Sequence, residues 1–170
     1  MAHLQAVDVF LGLGSNLGGS EAVLKRAIGR IGEIPGVRAS AVSHIYLTEP
    51  QDLKEQPWFA NCVMRLACRA EVSPYGLLDE LESIETEFGR TREVRFGPRS
   101  LDIDILLFGD RTSGEGRLIL PHPRMRERAF VLLPLAELAP ALRLPWGETP
   151  AEALSRLDYR CEGLRIWQTD

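Results

Sequence analysis

Two aspartates separated by a single residue are the strongest chemical signal in this 170-residue chain. Asp102 and Asp104 lie in the apolar segment LDIDILLFG. In a β-strand alternate side chains share a face, which would place the two Cα atoms about 6.5 Å apart. Adjacent carboxylates repel unless a cation neutralises them, and oxygen ligands suit Mg²⁺. Because Leu106 and Phe108 continue the same face, we favour a metal site over a solvent-exposed strand face. The opposite face would carry the apolar residues Leu101, Ile103, Ile105 and Leu107.

A polar segment before this strand is rich in arginine. GRTREVRFGPRS contains Arg90, Arg92, Arg95 and Arg99, and nine of the eighteen arginines fall between Arg90 and Arg128. Guanidinium groups bind phosphate oxygens in pairs, and arginines beside magnesium are what phosphoryl transfer requires. Two alternatives stay open: a solvated basic loop, and an arginine content that reflects only genome base composition.

One acidic residue falls within the apolar stripe of a predicted helix. That stripe consists of Leu77, Leu78, Leu81, Ile84 and Phe88. Glu85 lies inside its arc at helical spacing, and Glu82 borders it. A carboxylate in such a position needs a partner. Glu85 either reaches an arginine at the edge of the stripe or bounds a cleft between helix and sheet.

The glycine-rich segment LGLGSNLGGS follows a short apolar run. It has no lysine, as a P-loop requires, and Leu17 stands where a dinucleotide fingerprint has its third glycine. We therefore interpret it as a tight strand-to-helix turn that needs positive φ, and not as a phosphate cradle.

The order of the predicted elements indicates the fold class. We predict strands at Val7–Leu13, Val37–Leu47, Phe59–Cys68, Ser100–Phe108 and near Leu118–Leu120, and helices capped by Ser20, beginning at Ser73-Pro74, and at Ala129–Leu138. The core order is β-α-β-β-α-β. This order predicts an α+β, ferredoxin-like fold: an antiparallel sheet with helices packed on one face, plus a C-terminal hairpin and helices. Residues 1–170 are expected to form a single domain.

Composition restricts the partners. The net charge of −4 argues against non-specific nucleic-acid binding, and no apolar run approaches the roughly 20 residues of a membrane span. The three cysteines are odd in number and show no CxxC spacing, so neither a disulfide framework nor a zinc site is indicated. We expect a cytoplasmic monomer that acts on small molecules, with no nucleic acid and no membrane.

Five motifs together resemble one enzyme family. They are FGPRSLDIDILLFG, LGLGSNLG, YLTEP, QPWFAN and LPHPRMRERAFVLLPL, and they are similar to the signatures of the 6-hydroxymethyl-7,8-dihydropterin pyrophosphokinases of the folate pathway. The resemblance covers most of the chain up to about Pro145. The resemblance implies the ferredoxin-like fold. It also implies transfer of the terminal pyrophosphate of ATP to the pterin hydroxymethyl group, leaving AMP.

The resemblance also implies roles for individual residues. Asp102 and Asp104 would bind two Mg²⁺ ions that bridge the ATP phosphates. The remaining positions are Arg90, Arg92 and Arg99 for catalysis; Arg90, Arg99, Glu82, Ile105, His122 and Arg128 for ATP; Thr48, Phe59, Asn61, Phe96 and Phe130 for the pterin; and Glu85 in support. Phe59 and Phe130 would flank the flat heterocycle, and Ile105 would lie near the adenine.

The sequence departs from some family members at two of these motifs. Phe96 stands where some have tryptophan, and Pro123 stands where some have tyrosine. Two other classes remain as alternatives: an RNA-binding module, although no RNP pattern is found, and a pterin-binding protein without catalysis. The identity of a general base stays open.

Overall fold

The structure of the chain is a computed structural model that describes residues 5–17, 19–50, 53, 55–89 and 100–168. Its elements, in chain order, are β1 (Val7–Ser15), α1 (Ser20–Ile31), β2 (Val37–Val42), β3 (Tyr46–Thr48), β4 (Phe59–Cys68), α2 (Pro74–Glu87), β5 (Asp102–Phe108), a 3-10 turn (Met125–Glu127), α3 (Ala129–Leu138), α4 (Pro150–Leu154), β6 (Tyr159–Glu162) and β7 (Arg165–Gln168).

Within the described residues, seven strands form one mixed sheet. Its order is β5-β1-β4-β3-β7-β6, and β2 pairs with β4 beside β3. The strands β5, β1, β4 and β2 are antiparallel to their neighbours. β3 and β7 are parallel, so the prediction of a wholly antiparallel sheet is wrong at this pair.

Both faces of the sheet are covered, each by its own apolar core. The first core packs α1 and α2 against the sheet through residues such as Leu24, Leu81 and Leu11. The second core packs α3 and α4 against the other face through residues such as Leu132, Leu154 and Val63. The expectation of helices on one face therefore holds for α1 and α2 and fails for the C-terminal helices. No helix among the described residues is long and apolar enough to cross a membrane.

Several element boundaries differ from the predicted ones. Gly19, at φ 75°, is the N-cap of α1, and Ser20 is its first residue rather than its cap. Ser73 does cap α2, because its side chain accepts a hydrogen bond from the Gly76 N–H. The segment Leu118–Leu120 makes an isolated bridge between Leu120 and Ser113 instead of a strand.

The predicted strand Val37–Leu47 is interrupted after Val42. The Ser43 hydroxyl accepts a hydrogen bond from the Val63 N–H at 2.9 Å, and Glu137 of α3 accepts from the His44 N–H at 3.0 Å. Ser43 keeps one backbone bond to β4, from its N–H to the Val63 carbonyl at 2.9 Å, but the two side-chain contacts interrupt the regular ladder, so β2 and β3 are separate strands.

A β-bulge divides β5 into two parts. Leu11 pairs with Ile105 whereas Phe10 pairs with Leu107, which leaves Leu106 as the extra residue. A bulge shifts the alternation of faces by one residue. Leu107 therefore joins the second core and Phe108 the first, the reverse of the predicted faces.

Candidate active site

A pocket opens on the α3 face of the sheet, where β5, β1, β4 and β3 lie side by side. It encloses about 780 Å³ of empty space, including its open mouth. Its lining consists of Gly12, Leu13, Gly14, Thr48, Glu49, Gln56, Phe59, Asn61, Cys62, Val63, Asp102, Asp104, Leu106, Arg128, Phe130 and Val131. Polar groups therefore converge on a largely apolar cleft, as in most small-molecule sites.

Two glycines of β1 form part of the floor of this pocket. Gly14 pairs with Asn61 on one side and with Asp102 on the other, and Gly12 pairs with Asp104. A Cβ atom on residue 14 would stand 2.8 Å from Asn61 Oδ1. The absence of a side chain at Gly14 thus leaves room for the Asn61 amide.

Asp102 and Asp104 project from β5 on the pocket side, as their spacing predicts. Both are partly exposed, whereas Ile103 and Ile105 between and after them are buried in the first core. Two carboxylates beside each other on one strand form an oxygen-rich, negatively charged edge that suits a hard cation.

His122 lies beside this pair. Its Nε2 is 3.8 Å from Asp104 Oδ2, and its Nδ1 accepts a hydrogen bond from the Arg124 N–H at 3.2 Å. Burial and the nearby charge of Arg128 lower the pKa of His122 to about 4. The imidazole is therefore neutral at pH 7, with its proton on Nε2, the nitrogen that faces Asp104.

The opposite side of the pocket holds a buried polar pair. Asn61 Nδ2 donates to Thr48 Oγ1 at 2.6 Å, and both residues are less than a tenth exposed. Phe59 and Phe130 line the pocket nearby. Polar atoms between aromatic rings are suited to a flat heterocycle with hydrogen-bonding edges.

The strand β1 separates the two polar sides of the pocket. Asn61 and Asp102 are both paired with Gly14, so they lie on strands either side of β1. Two strand spacings make about 10 Å between their backbones. The pocket can therefore hold one group against the carboxylates and another against Asn61 at the same time.

Two helices approach β5 from opposite faces of the sheet, and of their residues Arg128 and Glu85 only Arg128 lines the pocket. Arg128 is the N-cap of α3, lines the pocket, and holds its guanidinium carbon 5.4 Å from the centre of the Phe130 ring. Glu85 of α2 is buried on the other side of β5, where its Oε2 accepts from the Ile103 N–H at 2.9 Å. Glu85 thus fixes the backbone between the two aspartates and does not itself face the pocket.

Comparison with known proteins identifies the family. The model of the 7,8-dihydro-6-hydroxymethylpterin-pyrophosphokinase family matches residues 10–140. The chain belongs to this family.

Named relatives agree with that assignment, and a solved structure shares the fold. The 2-amino-4-hydroxy-6-hydroxymethyldihydropteridine pyrophosphokinase of Methylorubrum extorquens is 47% identical over 149 residues, which cover 88% of this chain and 92% of that protein. The protein of the same name from Pseudomonas aeruginosa is 45% identical over 151 residues, covering 89% and 92%. A crystal structure of an HPPK-DHPS chain in complex with substrates matches with a TM-score of 0.67 at 14% identity. The match covers 88% of this chain and 43% of that one, and at this identity it supports the fold alone.

The pocket brings together most of those predicted pyrophosphokinase site residues that the structure describes. Those in its lining are Thr48, Phe59, Asn61, Asp102, Asp104, Arg128 and Phe130, with His122 beside them. Two predicted ATP contacts lie elsewhere. Glu82 is paired with Arg117 on the surface of α2, and the Ile105 side chain is buried in the first core. Arg90, Arg92, Phe96 and Arg99 lie outside the described residues.

Some pocket residues were not anticipated from the sequence. The lining residues that were not among the predicted site residues are Gly12, Leu13, Gly14, Glu49, Gln56, Cys62, Val63, Leu106 and Val131. The alternation of Gly12 and Gly14 on one strand face was an available signal, because two glycines on one face leave that face open.

The carboxylates of Asp102 and Asp104 fit a Mg²⁺ ion that takes its other ligands from water and a substrate. Among the described residues, no group of three or more acidic, histidine or cysteine side chains could hold a metal ion by itself. Mg²⁺ characteristically takes one or two carboxylates and completes its shell with water and phosphate oxygens. Asp102 and Asp104 supply that number of carboxylates.

Proposed function

We propose that this chain transfers the terminal pyrophosphate of ATP to the hydroxymethyl group of 6-hydroxymethyl-7,8-dihydropterin, in folate biosynthesis. Family membership supports the reaction, since the relatives named above are pyrophosphokinases of this pterin. The observation that carries the assignment of the site is the arrangement across β1. Two carboxylates and the Asn61–Thr48 pair share one sheet face, about 10 Å apart, over a floor of glycine.

In this proposal the pterin binds between Phe59 and Phe130. The ring edge of a pterin carries amide and amino donors beside ring-nitrogen and carbonyl acceptors. Asn61 offers both a donor and an acceptor, and the Thr48 hydroxyl, which accepts from Asn61, retains a proton to donate. A buried pair of this kind discriminates strongly, because an analogue without the matching groups leaves it unpaired.

The triphosphate would lie on the side of Asp102 and Asp104. Mg²⁺ held there, two ions in our proposal, would neutralise the phosphate charge and align the β-phosphorus for attack. Arg128 adds a positive charge in the same pocket, and the neutral His122 can donate its Nε2–H to a phosphate oxygen. Arg90, Arg92 and Arg99 are proposed to contribute further positive charge in the transition state.

The bond changes balance within the two substrates. The pterin hydroxymethyl oxygen forms a bond to the β-phosphorus of ATP, and the bond from that phosphorus to the α,β-bridging oxygen breaks. AMP leaves with the bridging oxygen, and the hydroxyl proton passes to solvent or to a base. The residues of the pocket mainly position the reactants and stabilise charge, as is general for phosphoryl transfer.

We also propose that the core is ferredoxin-like and that the chain works as one domain. The strand order β5-β1-β4-β2, with α1 and α2 on one face, supports the first statement. The second is supported by the C-terminal strand β7, which pairs with β3 of the core.

The decisive experiment is a product assay. The protein is mixed with magnesium ATP and hydroxymethyldihydropterin, and the products are separated by chromatography. We expect equal amounts of AMP and pterin diphosphate, with no AMP when the pterin is omitted. Formation of ADP, or of no product at all while both substrates bind, would contradict the proposed function.

A further inference from the structure

The side chain of Gln168, at the end of β7, holds the two peptide groups that flank Arg128. Gln168 is only 7% exposed. Its Oε1 accepts from the Ala129 N–H at 2.8 Å, and its Nε2 donates to the Glu127 carbonyl at 2.5 Å. The side-chain amide of Gln168 therefore provides hydrogen-bond partners for the backbone on both sides of Arg128.

One of these contacts supplies a hydrogen-bond acceptor that the first turn of α3 lacks. Ala129 is the first residue of α3, and the first N–H groups of a helix have no acceptor within it. Arg128, the N-cap, is extended at φ −115° and ψ 108° and makes no side-chain capping bond. Gln168 supplies the missing acceptor from a strand 39 residues away. Fixing the peptides before and after Arg128 fixes the direction in which its side chain leaves the backbone.

The backbone of Gln168 reaches the other side of the pocket. Its N–H donates to Glu49 Oε1 at 2.8 Å, and the Glu49 N–H donates to the Ile166 carbonyl at 3.3 Å. Glu49 follows Thr48 and also lines the pocket. Because this contact uses the main chain of Gln168, a change of its side chain leaves the donor in place.

We propose that Gln168 is a positioning residue of the active site, which acts through Arg128 on the bound polyphosphate. The amide holds Arg128 extended, so that its guanidinium enters the pocket over Phe130. Gln168 is absent from the pocket lining, so its side-chain contacts are with the backbone on either side of Arg128. The inference rests on the proposed function to the extent that Arg128 contacts ATP.

The test uses Gln168→Met, which removes both hydrogen-bonding atoms at nearly constant volume. Binding of a non-hydrolysable ATP analogue with magnesium, and of the pterin, is measured by equilibrium titration. We expect the dissociation constant of the ATP analogue to rise by about fivefold or more, and that of the pterin to change less than about twofold. Leu154→Ala, in the second core away from the pocket, is the control for lost stability, and should alter neither constant.

A double-mutant cycle with Arg128→Ala tests whether Gln168 affects ATP binding through Arg128 or through the stability of the fold. If Gln168 acts through Arg128, Gln168→Met should have almost no further effect on ATP binding once Arg128 is gone. An equal loss in both backgrounds would overturn the proposal, as would parallel losses of ATP and pterin affinity. Unchanged ATP binding in Gln168→Met alone would also overturn it. These readouts do not depend on turnover, so a wild-type protein that binds ATP but forms no product would refute the proposed function separately.

Discussion

Gly14 and Asn61 face each other across β1 and β4, and no side chain fits between them. A Cβ atom on residue 14 would lie 2.8 Å from Asn61 Oδ1, closer than carbon and oxygen atoms normally approach. The Asn61 amide, which we propose binds the pterin, and the glycine that makes room for it are therefore one structural unit.

Gly14→Ala should weaken pterin binding by about tenfold, equivalent to ~1.4 kcal/mol, because Asn61 must turn away from the added methyl group. Titration of the pterin in the presence of a non-hydrolysable ATP analogue measures this effect. Gly12→Ala is the matched control, since its Cβ would meet Leu106 at an ordinary 3.5 Å. Equal losses in the two variants would contradict the role assigned to Gly14.

Asp102→Asn and Asp104→Asn should each reduce turnover by at least about a thousandfold, roughly 4 kcal/mol of barrier, because a neutral amide holds Mg²⁺ poorly. Thermal unfolding should change little, since both side chains are partly exposed. Asp110→Asn, on the exposed turn after β5, is the control and should retain activity. Near-normal turnover in either site variant would refute the metal assignment.

Arg90→Ala and Arg92→Ala should lower the single-turnover rate by at least about tenfold, ~1.4 kcal/mol, while dissociation constants change less. This prediction rests on the sequence pattern, and its reason is that charge develops mainly in the transition state. Rapid-quench kinetics beside equilibrium titration measure the two quantities. Asn61→Ala and Phe59→Ala should behave oppositely, with pterin affinity lost first. Arginine variants that bind ATP far more weakly yet react normally at saturation would indicate a binding clamp instead.

Native alkylation with iodoacetamide at pH 8 should modify Cys161 and leave Cys62 and Cys68 intact. Burial raises the pKa of Cys62 to about 12 and that of Cys68 to about 11, so neither forms the reactive thiolate at pH 8. Cys161 is exposed, and the smaller burial that it does have raises its pKa less. Mass spectrometry of tryptic peptides identifies the modified sites, with urea-unfolded protein as the control in which all three react. Rapid modification of Cys62 in the folded protein would show that the pocket opens beneath it.

The sequence pattern was sufficient to predict a residue's structural role where that role depends on residues nearby in the chain. The spacing of Asp102 and Asp104 predicted a shared strand face, and Ser73 before a proline predicted the start of α2. Both features follow from periodicity or capping within a few residues of chain.

The remaining features depend on contacts that are distant in sequence. The bulge at Leu106 arises from pairing with β1, so simple alternation assigned Leu107 and Phe108 to the wrong faces. The role of Gly14 requires knowing that it lies opposite Asn61, 47 positions away in a register that only the sheet defines. Gln168 likewise gains its role from the distant start of α3.

The outer edge of β5 has a consequence for the behaviour of the protein at high concentration. An uncovered edge strand offers its N–H and carbonyl groups to a strand of another molecule and so promotes aggregation. Here the Ile103 N–H donates a hydrogen bond to the Glu85 carboxylate, and the Leu106 carbonyl accepts one from the backbone N–H of His122 at 2.9 Å. Glu85 and His122 thus also shield this edge from intermolecular strand pairing, so we expect a substitution that removes the Glu85 carboxylate to lower the solubility of the protein.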